Sequence, residues 1–70
     1  MEVMKVFAER LIELRKSKDI TQSQLAFDTK LSKSAISFWE NCGRIPNALA
    51  IVTLAKYFNV SADYLLGLED

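Results

Sequence analysis

The sequence predicts an all-α domain of five helices, one unit over residues 1–70. Three observations lead there. Apolar residues recur at helical three- and four-residue spacing in successive segments, and no strand can be placed. Thr21, Ser32, Asn47 and Ser61 stand where four of the helices would begin, each a good N-cap. The two Gly and one Pro fall between segments or at the end of the last one.

The first helix runs from about Val3 to Ser17. Met4, Phe7, Leu11 and Leu14 share one stripe with Ala8 beside it, while Glu2, Glu9, Arg10 and Glu13 lie off it. Asp19 is a plausible left-handed stop. The second helix opens at Thr21 with a capping box, Thr21 to Gln24, and a hydrophobic staple from Ile20 to Leu25; it ends near Thr29. The third spans roughly Lys33 to Asn41 behind the Ser32 cap. Its buried stripe is Ile36 and Trp39, and Ala35 is small enough for close helix approach. Gly43 and Pro46 break the chain, and Asn47 caps the fourth helix, whose core face is Ala48, Ile51, Ala55 and Phe58 with Leu54. Ser61 caps the fifth, Asp63 lies in its first turn where the helix dipole favours negative charge, and Gly67 ends it.

Composition narrows the function. A chain of 70 residues buries only ~60% of its unfolded surface, so a dense core or self-association is needed. Half of the residues are hydrophobic, too many for a disordered tail. No apolar run approaches the ~20 residues that span a bilayer, and MEVMKVFAER lacks a signal peptide's uncharged segment. The expectation is a cytoplasmic protein with no membrane partner. The lone Cys42 excludes an internal disulfide. With no His in the chain, metal clusters and His-based acid–base catalysis have no candidates. No catalytic residue, cofactor or metal is expected, and the protein is not read as an enzyme.

Net charge is zero and the pI is near 6.2, values that do not announce a nucleic-acid binder. The distribution is more informative. Residues 15–44 hold six basic side chains against three acidic, a surplus of +3, whereas residues 1–14 and 45–70 carry −1 and −2. Positive charge collects around Thr21 to Asn41. That stretch reads as two short helices joined by a tight turn, an arrangement that can hold one helix and push the other into a DNA groove.

The full pattern is Arg15, then Thr21-Gln22 with Leu25-Ala26, then Ser32, Ser34, Ile36-Ser37 and Trp39-Glu40-Asn41. Pro46, Leu54-Ala55, Phe58, Val60-Ser61 and Asp63-Tyr64-Leu65-Leu66-Gly67 follow. It resembles the Cro/cI-type helix-turn-helix family, also called the XRE family, over about Phe7 to Gly67, with spacings that agree without insertions. The resemblance implies a lambda-repressor-like DNA-binding domain with the helix-turn-helix at helices 2 and 3. It makes helix 3 the recognition helix, with Lys33, Ser34, Ser37 and Phe38 on the face that reaches base edges. Lys33 can donate to guanine O6 and N7, and the Ser hydroxyls can read donors or acceptors. Phe38 stands where the family more often has a polar or basic residue. It is expected against a thymine methyl, or else as an aromatic at the core edge or a partner contact.

Phosphate contacts are expected to bracket that helix. Gln22 can use its side chain and the N-terminal amides of helix 2. Ser32, Asn41 and Arg44 complete the set, the last two resembling family positions that grip the backbone. Lys16, Lys18 and Lys30 are weaker candidates. Arg15 and Glu40 match positions that pair in relatives and are read as a structural ion pair. Lys30 and Cys42 replace glycines of the family pattern, which suggests non-Gly residues near positive φ; an inert thiol is favoured for Cys42 over a redox sensor.

Leu49 and Val52, with Val60, Tyr64 and Leu68, are candidates for a dimer interface on the helix 4–5 face. The expected partners are double-stranded DNA and a second copy of the chain. The expected function is transcriptional regulation, as a repressor that occludes promoters from a palindromic operator in a prokaryote or phage-infected cell, associated with the nucleoid. The alternative is an antitoxin or adaptor module that binds a partner protein through the same apolar face.

Overall fold

The computed structural model describes residues 3–69, so the place given to Glu2 lies outside the described residues. Five helices follow in order: α1 Val3–Ser17, α2 Gln22–Thr29, α3 Lys33–Glu40, α4 Ala48–Phe58 and α5 Ala62–Leu66. No strand occurs among the described residues, and the fold is the all-α one that the sequence predicts. None of these helices is long and apolar enough to cross a membrane.

Side-chain caps set the starts of α2 to α5. The oxygens of Thr21, Ser32, Asn47 and Ser61 accept from the backbone N–H groups of Gln24, Ala35, Ala50 and Tyr64 at 2.8 to 3.1 Å. Each cap satisfies an otherwise orphaned donor and contributes about 1 kcal/mol. The reciprocal half of the Thr21 capping box does not form. Gln24 instead turns its amide forward and donates to Asp28 Oδ1 at 2.7 Å, a charge-assisted bond one turn on.

The helix ends share one device. After α1, α3, α4 and α5 the chain turns through a left-handed residue, respectively Asp19, Cys42, Asn59 and Gly67. Behind each, the next N–H reaches back five residues: Ile20 to Arg15 O, Gly43 to Phe38 O, Val60 to Ala55 O and Leu68 to Asp63 O. This is the Schellman closure, which satisfies the last carbonyls. Lys30 ends α2 at φ 61° in the same region. A left-handed β-carbon is strained, so Lys30→Gly is expected to stabilise the fold by about 0.5–1 kcal/mol. Urea unfolding would show this as a higher midpoint at unchanged slope.

Phe7 and Leu11 of α1, Leu25 of α2, Ile36 and Trp39 of α3, Ala50, Leu54 and Ala55 of α4, and Leu65 of α5 form one core. Phe7 meets Trp39 edge-on at 6.3 Å, fixing α1 against α3. Ile20, Leu31 and Ala35 pack on its border. Two details differ from the sequence reading. Met4 is only half-buried, because the stripe of α1 enters the core at Phe7. In α4 the deepest positions are Ala50, Leu54 and Ala55, with Ile51 and Phe58 half-buried and Ala48 exposed. The flank of α4 that turns inward is set by its packing against α2 and α5, which seats Ala50 and leaves Ala48 in solvent.

Candidate nucleic-acid interface

The turn between α2 and α3 is short. Lys30 reverses the chain, Leu31 is drawn towards the core, and Ser32 caps the next helix. α3 then presents two faces. Ile36, Trp39 and Glu40 are buried, while Lys33, Ser34 and Phe38 are exposed and Ser37 is half-buried. Lys33, Ser34, Ser37 and Phe38 line a single groove of about 250 Å³, with Gln22 of α2 as its far wall. The four residues expected to reach bases therefore share one concave surface with one expected to reach phosphate.

A buried polar cluster holds that surface in register. Arg15 Nε and Nη2 donate to the two carboxylate oxygens of Glu40 at 2.7 and 3.1 Å. Arg15 Nη1 donates to the Ile20 carbonyl at 2.9 Å, and Gln22 Nε2 donates to Glu40 Oε1 at 2.9 Å. Only 15% of the Arg15 side chain and 6% of that of Glu40 remain exposed. The hydrogen bonding that Arg15 donates to Glu40 outweighs the opposing effect of burial and, with the carboxylate's charge, raises the Arg15 pKa above its ordinary value, so the guanidinium stays charged throughout the usable pH range. Glu40 thus ties α1, the α1–α2 turn and the start of α2 to the end of α3. Gln22 keeps its second amide hydrogen free, since an amide nitrogen has two.

The remaining expected phosphate contacts lie around the groove. Ser32 accepts from Ala35 N and retains its own hydroxyl proton for donation. Asn41 is the exposed C-cap of α3. Arg44 is exposed, with its guanidinium carbon 4.5 Å from the centroid of the Phe38 ring. Lys16 and Lys30 are exposed, and the Lys18 ammonium lies 4.9 Å from the Tyr57 ring on α4.

The residues offered for a partner surface separate. Leu49, Val52 and Leu68 are exposed, Leu49 at 72%. Val60 is half-buried against the core, and Tyr64 lies under the Arg10 guanidinium, 4.2 Å from ring to carbon. Ile45 and Phe27 are also strongly exposed, and neither was singled out by the sequence.

One cluster had no signature in the sequence. Tyr57 Oη of α4 donates to Asp28 Oδ2 of α2 at 2.6 Å, joining residues 29 positions apart. The Tyr57 hydroxyl, then the Gln24 amide, hold the Asp28 carboxyl below its ordinary pKa, with a smaller contribution from the Lys18 charge. A depressed folded-state pKa gives stability that is present above the unfolded value of about 4 and lost as pH falls through the folded value. Thermal melts should therefore show the wild type losing more on acidification below about pH 4 than Asp28→Asn, which has no carboxyl to protonate.

Comparisons with known proteins bear on the family and the fold. The helix-turn-helix family model matches residues 11–65. The chain is similar to the HTH-type transcriptional activator BcrR of Enterococcus faecalis, 41% identical over 64 residues that are 91% of this chain and 31% of that protein. It is also similar to the uncharacterized HTH-type transcriptional regulator YobD of Bacillus subtilis (strain 168), 37% identical over 65 residues, 93% of this chain and 58% of that protein. The chain thus spans less than two-thirds of either relative. Among solved structures, the restriction-modification controller protein C.AhdI from Aeromonas hydrophila superposes with a TM-score of 0.80 at 31% identity, covering 89% of this chain and 94% of that one. Motif, fold and relatives together show that the chain belongs to the Cro/cI-type (XRE) helix-turn-helix family of DNA-binding transcriptional regulators.

Proposed function

We propose that this chain binds a palindromic operator as a homodimer, reads it with α3 in the major groove, and represses transcription by occupying the promoter. The observation that carries the reading is the exposed ridge from Lys33 to Phe38, concave towards Gln22 and locked from behind by Ile36, Trp39 and Glu40. A recognition element needs both properties, free donors and acceptors in front and a rigid mount behind. Lys33 donates to guanine, and Ser34 and Ser37 read neighbouring base edges. Gln22, Ser32, Asn41 and Arg44 fix the register by gripping phosphates on either side.

Size supports the dimer. The longest dimension of the chain is 30 Å, short of the ~34 Å that separates successive major grooves on one face of a duplex. One copy reaches one half-site. The exposed Leu49, Val52 and Leu68 supply apolar surface for a second copy, with Val60 and Tyr64 behind them. Repression by occupancy needs nothing beyond the binding unit itself, and it places the protein in the cytoplasm, on the nucleoid.

Selection of bound sites from random duplex DNA tests the reading, followed by a promoter reporter. Two inverted half-sites centred about one helical turn apart, and lower reporter output with the protein present, are the expected results. Enrichment of a single unpaired half-site would remove the dimer, a rise in output would reverse the sign of regulation, and no enrichment would end the proposal. If the apolar face instead holds a partner protein, as in an antitoxin or adaptor, replacing Lys33 and Ser34 together by alanine would abolish operator binding and leave that complex intact.

A further inference from the structure

We propose that Phe38 is a positioning residue for Arg44: the aromatic ring holds the guanidinium at the groove rim, so the two side chains grip a backbone phosphate as one unit. The inference rests on α3 being the recognition helix. It goes beyond that reading by giving Phe38 a task other than touching a base.

The end of α3 is constructed differently from the other helix ends. In the Schellman closures after α1, α4 and α5, the residue that donates back five positions is Ile20, Val60 or Leu68, apolar in each case. Such a residue ordinarily covers the side chain three places before the cap. After α3 the corresponding residue is Gly43, whose N–H donates to Phe38 O at 2.6 Å. A β-carbon on Gly43 would stand 3.2 Å from Phe38 Cδ1, so the bare glycine is what lets the ring lie close to the turn. The left-handed Cys42, φ 60°, swings the chain back over the helix, and Arg44 becomes the next side chain able to cover the ring. It does so at 4.5 Å.

The contact sets the chemistry that remains. A guanidinium held over an aromatic ring by cation–π attraction is bonded to no acceptor there, so its N–H groups remain available for a phosphate. Among the described residues no carboxylate pairs with Arg44, and its nitrogens donate no hydrogen bond. Phe38 itself is 44% exposed and forms part of the groove wall with Lys33, Ser34 and Ser37. The guanidinium is therefore parked beside the surface that would meet DNA, with its side-chain freedom already reduced. Holding it there removes part of the ordering cost on binding.

A double-mutant cycle on the full chain tests this, using the selected operator duplex. Phe38→Ala and Arg44→Ala are each expected to weaken binding about three- to thirtyfold, and the double variant no further than Arg44→Ala alone. Both singles should make the salt dependence shallower by a similar amount while leaving base preferences unchanged. Phe38→Leu, which keeps the bulk and the fold but not the aromatic face, should behave as Phe38→Ala. Arg44→Lys, which keeps the charge but not the plane, should recover little. Additive losses, or a thymine preference lost only when Phe38 is changed, would show the ring reading a base itself and would overturn the proposal. Wild-type affinity in Arg44→Lys or in Phe38→Leu would overturn it equally. Failure of the wild type to bind any duplex would instead remove the recognition reading on which it rests.

Discussion

Truncation of Glu40 to alanine is expected to lower the unfolding free energy by about 3–5 kcal/mol. Glu40 accepts from Arg15 Nε, Arg15 Nη2 and Gln22 Nε2, and it does so almost out of contact with water. Removing the carboxylate strands a guanidinium that is itself largely covered, and an uncompensated buried charge costs far more than the pair contributes. In a domain of this size, 1 kcal/mol moves the melting temperature by about 4–8 °C, so a fall of roughly 10 °C or more follows. Glu40→Gln, which keeps one acceptor oxygen, should lie between. Replacing both partners, Arg15→Met with Glu40→Leu, should recover much of the loss, because the stranded charge leaves with its partner. A change below about 1 kcal/mol in Glu40→Ala would mean that solvent screens the pair as it does surface bridges.

The second large effect concerns salt. With about 6–10 phosphates engaged by a dimer, the logarithm of the association constant should fall against the logarithm of salt concentration with a slope near −5 to −9. That corresponds to a loss of about 10³–10⁵ in affinity between 50 and 200 mM salt. A chain of zero net charge shows such a slope only if its charge is segregated, as the surplus around residues 15–44 implies. Titrations at several salt concentrations measure it directly, and a slope near −1 would mean that the basic belt does not meet the duplex. Lys33→Ala gives the contrasting behaviour. It should cost about 1–3 kcal/mol at each half-site and relax preference at one base position, where loss of a phosphate contact weakens all sequences alike.

Much of this was written along the chain because the relevant physics is local. Each cap is a side chain bonding a backbone N–H three residues away, so Thr21, Ser32, Asn47 and Ser61 could be read from spacing alone. The apolar stripe of α3 identified Ile36 and Trp39 as core, which in turn left Lys33, Ser34, Ser37 and Phe38 for the other face. The left-handed positions at Lys30 and Cys42 followed from glycines missing from a recognised pattern.

What the chain determined by itself is therefore the set of helices, their boundaries and the chemical character of each face, since these depend on neighbours within about one turn. Tertiary structure decided which distant groups meet. Gln22 reaches Glu40, Tyr57 reaches Asp28, and Ala50 rather than Ala48 enters the core, because each outcome depends on how helices rotate against one another when they pack. The laying of Arg44 on Phe38 belongs with these: the six residues from Phe38 to Gly43 close into one turn, and only the folded turn brings the next side chain back over the ring.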